Sequence, residues 1–85
     1  MLVIMPKSSE TQSEEHTEND YNQLMVDASK VMLNPPATWN PYPKTKEGAM
    51  KILEMEFKEL LVNKSRKELL HVMAAAFNTW KYCNE

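Results

Sequence analysis

The chain has one cysteine, one glycine and no apolar run approaching the roughly 20 residues that a membrane-spanning helix needs. Each shortage excludes something. Cys83 has no partner within the chain, so no internal disulfide staples the fold; a reducing compartment suits it, and the thiol is left able to cross-link chains. Gly48 stands alone, which excludes a glycine-rich loop cradling phosphates. No stretch alternates β-branched or aromatic residues with polar ones, so there is no strand signal, and no internal repeat is present. The opening MLVIMP is too short for a signal-peptide core and has no basic lead-in. These absences predict an all-α protein of the cytoplasm without a membrane anchor. With 85 residues the chain holds one domain at most. A domain of this size buries only about 60% of its unfolded surface.

The net charge of −2 conceals an imbalance. Residues 1–27 carry six acids and one lysine, a balance of −5, whereas residues 28–85 carry six acids and nine Lys/Arg, a balance of +3. From Lys7 to Asp20 the sequence KSSETQSEEHTEND has no aliphatic or aromatic side chain. Such a segment cannot offset its chain entropy by burial. Residues 1–19 are therefore expected to be a disordered acidic tail, either solvated or folded back on the basic part of the chain, and residues 20–85 a single small helical domain. The overall charge is negative and no strongly basic face emerges, which argues against nucleic-acid binding.

Three helices are expected. Tyr21, Leu24, Met25, Ala28, Val31 and Met32 recur at three- and four-residue intervals, giving a helix over 20–33 with Asp20 as N-cap. Four prolines within NPPATWNPYP, residues 34–43, stop it and predict an ordered extended loop in which Trp39 and Tyr42 find cover. Thr45 caps a second helix over 46–62, whose apolar face is read as Ala49, Met50, Leu53, Phe57, Leu60 and Leu61. Asn63 and Lys64 make a tight turn. Ser65 then opens a third helix over 66–82 with an S-x-x-E capping box to Glu68, so that helices two and three form an antiparallel hairpin. The third helix is apolar nearly all round: Leu69, Met73, Phe77 and Trp80 form a stripe, and Ala74, Ala75 and Ala76 a small-residue patch open to close approach by another helix. A helix dry on both faces is buried on both. The expected fold is a helical hairpin plus an N-terminal helix, assembling as a homo-oligomeric helix bundle, most simply a dimer.

Titratable residues are concentrated on the hairpin. Glu56 and Glu59 are three apart on one helix, and Glu68 and His71 three apart on the other, at matching distances from the turn. This register predicts that Glu56, Glu59, Glu68 and His71 converge as a metal site for Mg²⁺ or Mn²⁺, since carboxylate oxygens suit hard cations and imidazole suits manganese and softer metals. The plainer alternatives are that Glu68 serves only its cap, that Glu56 and Glu59 form a solvated face, and that His71 is a hydrogen-bonded core residue.

The segment KEGAMKILEMEFKEL…SRKELLHVMAAAFN resembles the small phage-type branch of the MazG-like all-α nucleoside triphosphate pyrophosphohydrolases, over residues 37–80. That family places an E-x-x-E pair on one helix, here Glu56 and Glu59, and a second acidic motif on the next, here Glu68 and position 71. The usual second motif ends in Asp, where this chain has His71, and the connection between the helices is short. The resemblance implies a metal-dependent enzyme in the host cytoplasm, in which carboxylates hold Mg²⁺ on a nucleoside triphosphate and water attacks between the α- and β-phosphates. It implies catalytic roles for Glu59 and Glu68. Lys64 and Arg66, with Lys67 beside them, would neutralise phosphate charge at the turn, and Trp39 or Tyr42 would stack a base unless those aromatics merely cap the hairpin. A different class fits the same composition: a non-enzymatic helical protein, rich in adaptable methionines, that inhibits or sequesters a host protein or a nucleotide.

Overall fold

The computed structural model describes residues 16–84. Among them are three α-helices and no strand: α1 (Glu18–Leu33), α2 (Lys46–Asn63) and α3 (Arg66–Tyr82), with a short 3-10 turn at Ala37–Trp39. No helix among the described residues is long and apolar enough to cross a membrane.

α1 begins earlier than its apolar periodicity suggests. Thr17, not Asp20, is the N-cap. Thr17 Oγ1 accepts from the Asp20 N–H at 3.1 Å, and Asp20 Oδ2 accepts from the Thr17 N–H at 3.2 Å. This reciprocal box satisfies two otherwise orphaned donors, where Asp20 as a cap would satisfy one. The start of the helix therefore absorbs residues assigned to the acidic tail; the rest of that tail, residues 1–15, lies outside the described residues. At the other end Asn34 closes the helix, its amide donating to Lys30 O at 3.2 Å, immediately before Pro35 and Pro36.

The proline-rich segment is less extended than expected. It tightens into the 3-10 turn, and this turn carries the Trp39 ring inside the protein. The chain then re-enters helix at Thr45, whose hydroxyl accepts from the Gly48 N–H at 3.1 Å. Gly48 is required by proximity: a Cβ there would collide with the Pro43 carbonyl oxygen. The proline loop is thus laid directly on the first turn of α2.

Lys64 ends α2 in the left-handed conformation, φ 48°, its N–H bonded to Leu60 O at 2.7 Å. A residue there reverses the chain in a single step. Ser65 Oγ starts α3 by accepting from the Glu68 N–H at 3.1 Å. α3 is the central element and packs against both α2 and α1.

Two readings of the helix faces need correction. α2 does not meet α3 through its Met50, Phe57 and Leu61 stripe, which is exposed; it does so through Ala49, Ile52 and Glu56. Likewise Ala74 and Ala75 are spent within the chain, fully buried in its own core with Trp39 and Ile52, and Ala76 alone of the patch is exposed. The reason is steric. Small side chains on the contact line let helix axes approach within the 8–10 Å range at its close end, which Leu or Phe there would prevent. Thr79 marks this closeness: its hydroxyl lies 2.8 Å from Ala75 O in its own helix and 3.3 Å from Ala49 O across the interface.

Replacing Gly48 by Ala is expected to push the Pro43 carbonyl off α2 and lower stability by about 1–3 kcal/mol, the usual range for overpacking. Urea titration followed by helical circular dichroism measures it, and an unchanged midpoint would show that the loop is not seated there.

Candidate metal centre

Antiparallel packing of α2 and α3 sets Glu56 opposite His71, and Glu68 sits one turn nearer the hairpin bend. Glu56 is the most deeply buried of these, at 2% exposure, and the only large side chain so fully enclosed among the described residues. His71 Nδ1 lies 3.6 Å from Glu56 Oε1 and 3.8 Å from Glu68 Oε1. Ligand atoms of Glu56, Glu68 and His71 all lie within 4.8 Å of one another. Both separations from the imidazole are too long for a hydrogen bond.

The two carboxylates are held alike. Glu56 Oε2 accepts from the Trp39 indole N–H at 2.7 Å, a short, buried, charge-assisted bond. Glu68 Oε2 accepts from the Asn63 side-chain amide at 3.1 Å. In each case the second oxygen, Oε1, is buried without a hydrogen-bond partner and lies on the His71 side. A buried, unpaired carboxylate oxygen is costly, and two converging on one imidazole nitrogen could hold a shared cation. The two imidazole separations fit: atoms each about 2.2 Å from one ion stand about 3.1–3.8 Å apart at bond angles of about 90–120°. Trp39 and Asn63 then act as the supporting donors that fix ligand orientation around such ions.

Glu68 shows how the local sequence serves this. Its backbone N–H completes the cap from Ser65, while its carboxylate turns toward Asn63 and His71. One residue starts the helix with its main chain and faces the site with its side chain.

The other residues singled out from the sequence are placed as follows. Glu59 is exposed, one turn from Glu56. Lost hydration, then the negative charges of Glu56 and Glu68 and close contact with the Glu56 carboxyl, raise its pKa above the ordinary 4.5, and His71 partly opposes them. Since the side chain is largely in solvent, the neighbouring charges are the physically weighty part of that shift. Lys64 lies at the bend with its ammonium on Leu61 O at 2.7 Å. Arg66 lines a cleft between α1 and α3 together with Asp20 and Asp27, apart from the carboxylates. Trp39 is 6% exposed and donates its indole N–H to Glu56. Its link to Glu56 spans 17 residues, and no local pattern announces it.

Two outcomes follow from this geometry. Trp39→Phe strands Glu56 Oε2 in the interior and is expected to destabilise the metal-free protein by about 1–3 kcal/mol, beyond the loss from the smaller ring, as read by urea unfolding. For Glu59, a pKa raised on folding means that its favourable contribution is complete below pH 4.5, the unfolded value, and is lost as pH rises through the folded value. Glu59→Gln should therefore raise the melting temperature of the metal-free protein near pH 7, with the gain vanishing toward pH 4; a gain independent of pH would contradict this account. Compared with known proteins, the chain matches no family profile, no curated protein and no solved structure.

Proposed function

We propose that this protein is a metal-dependent hydrolase of nucleoside triphosphates, releasing pyrophosphate in the manner of the MazG-like enzymes whose motifs its hairpin resembles. The observation that carries the reading is the pair of buried, unpartnered oxygens, Glu56 Oε1 and Glu68 Oε1, beside His71 Nδ1. Glu56, Glu68 and His71 would hold a divalent ion, with Mn²⁺ suiting the imidazole better than Mg²⁺ does. When bound, that ion supplies polarisation of the phosphoryl oxygens and acidifies a water molecule.

The chain's own groups do the rest. Glu59, exposed beside the cluster and with a raised pKa, is placed to accept a proton from the attacking water. The water oxygen bonds to the α-phosphorus, the α–β bridging bond breaks, and pyrophosphate leaves with the bond's electron pair, yielding a nucleoside monophosphate. Lys64, at the bend, would offer positive charge to the triphosphate; Arg66, which lines the α1–α3 cleft with Asp20 and Asp27, is less well placed for it. Next to Trp39, a pocket of about 170 Å³ lined by Tyr42, Asn78, Lys81 and Tyr82 offers aromatic walls and an amide to a base. A homo-oligomer belongs to this reading. The competing one, a non-enzymatic partner of a host protein, requires none of the metal chemistry.

Mn²⁺ is expected to raise the melting temperature by mass action, by about 2.7 kcal/mol of stabilisation at a hundredfold excess over Kd. Glu56→Gln should remove that rise, and pyrophosphate release from deoxynucleoside triphosphates should fall by at least about 100-fold with it, a loss typical of a removed charge-stabilising group. A melting temperature indifferent to Mn²⁺ and no pyrophosphate from any nucleoside triphosphate would favour the non-enzymatic binder.

A further inference from the structure

One side of the α2–α3 hairpin is covered and the other is bare. Counting about 100° per residue from Ile52, the stripe of Leu53, Phe57, Leu60, Leu61 and Met50 lies roughly 80–180° around α2. Counting likewise from Ala75, the stripe of Val72, Ala76, Leu69, Trp80 and Met73 lies roughly 60–160° around α3. Both rotations run in the direction of increasing residue number. In an antiparallel pair that direction brings both stripes to the same side of the hairpin. The opposite side holds the proline loop and the end of α1, which reach Ala74, Met55 and Asn78, while the start of α1 borders the bare side at Leu69.

The bare side is apolar and prominent. Met50, Phe57, Leu61, Leu69 and Trp80 are all exposed, Trp80 at 72%. Phe77, at its margin, stacks on Trp80 with ring centroids 6.0 Å apart and planes 11° from parallel, so the ridge is preformed. No charged residue interrupts these stripes between Met50 and Leu61 or between Leu69 and Trp80; the exposed Glu54–Lys58 pair, 3.3 Å apart, lies beyond their edge.

We propose that this face is where two copies of the chain meet, hairpin against hairpin, to make a four-helix layer with α1 and the proline loop on the outside. Three arguments select a second copy as the occupant. The first is area. The most exposed apolar side chains of the face present on the order of 600 Å², at or above the largest patch usual on a monomer, and with the half-buried margin they approach the roughly 800 Å² per partner of a stable interface. The second is self-complementarity. A twofold contact sets a face against itself, and a face without charge meets no like charge when it does so. The third is need. Among the described residues only Trp39 and Ile52 are large buried apolar side chains, with Ala28, Ala49, Ala74 and Ala75 as the other buried apolar residues. A core this slight requires cover at all times, which a copy of the chain supplies at equal concentration.

This inference stands on packing alone and is independent of the metal reading. Sedimentation velocity with reductant, so that Cys83 cross-links do not contribute, should give about twice the 9.9 kDa chain mass. The double variant Phe57→Glu, Trp80→Glu should sediment as a monomer with its helical signal kept. Val62→Glu, at an exposed apolar residue on the other side of α2, should leave the dimer intact. If the double variant unfolds, the native protein still decides: dilution from about 100 µM to about 0.1 µM should red-shift tryptophan emission as Trp80 enters water. A native monomer at tens of micromolar, a folded double variant that remains dimeric, or emission independent of concentration overturns the proposal.

Discussion

A carboxylate buried at 2% exposure has to be justified by what surrounds it, and most of this structure follows from how Glu56 is surrounded. A hydrogen bond from the Trp39 indole at 2.7 Å satisfies one oxygen. That bond fixes more than a side chain. Trp39 rides on the proline-rich segment, so the 3-10 turn, the contact of Pro43 with Gly48 and the docking of the loop over α2 are all conditions for Glu56 to be tolerated. The second oxygen is left facing His71 and Glu68 without a partner. Apolar packing alone gives no reason to place glutamate there, since a methionine of similar length would fill the space without the desolvation penalty. With Glu68 and His71 it makes a group that could hold a metal ion.

The alanines are the second half of the same design. Ala49 and Ala75 narrow the helix–helix contact, and a narrow contact lets α2 and α3 bring Glu56 within 3.6 Å of an imidazole on the facing helix. The consequence is that bulk cannot be stored at that interface. Leucines, phenylalanine and tryptophan are displaced to the outer side of the hairpin, so that a small protein forgoes much of the hydrophobic stabilisation its composition offers within one chain. Site and exposed surface are linked through this exchange of volume for proximity.

How far the sequence disclosed this depends on the range of each interaction. Helix positions are legible because caps and periodicity are local: Thr45, Ser65 and the proline run set the boundaries of α2 and α3 and the end of α1. The start of α1 is misread where two local signals compete, Asp20 as a cap against Thr17 with Asp20 as its reciprocal partner. The approach of Glu56, Glu68 and His71 is legible because an antiparallel hairpin with a tight turn converts sequence distance from the bend into height. The facing side of α2 is not. Hydrophobicity favours the Met50–Phe57–Leu61 stripe, and nothing in α2 alone says that the smaller Ala49–Ile52–Glu56 strip is the buried one. That choice is made by the alanines of α3, thirty residues away in the Thr79–Ala49 contact. The Trp39–Glu56 bond is invisible for the same reason: its strength is in geometry that two distant segments build together.

The layering of the hairpin also separates its two chemical faces. His71 and Glu59 lie roughly 20–40° to the covered side of the line joining α2 and α3, and Glu56 and Glu68 roughly 20–40° to the other, so the cluster straddles the seam between the helices. The apolar stripes are centred roughly 110–130° away from that seam. A contact made through the stripes therefore closes over the outer flank of each hairpin and leaves the hairpin bend, with Glu59, Lys64 and the mouth of the cluster, at an edge in reach of solvent. Leu53, Leu60 and Val72 are half-buried between the two regions. Anything that tightens the outer face compresses the seam from one side, while Trp39 holds it from the opposite side; the position of Glu56 is set by both.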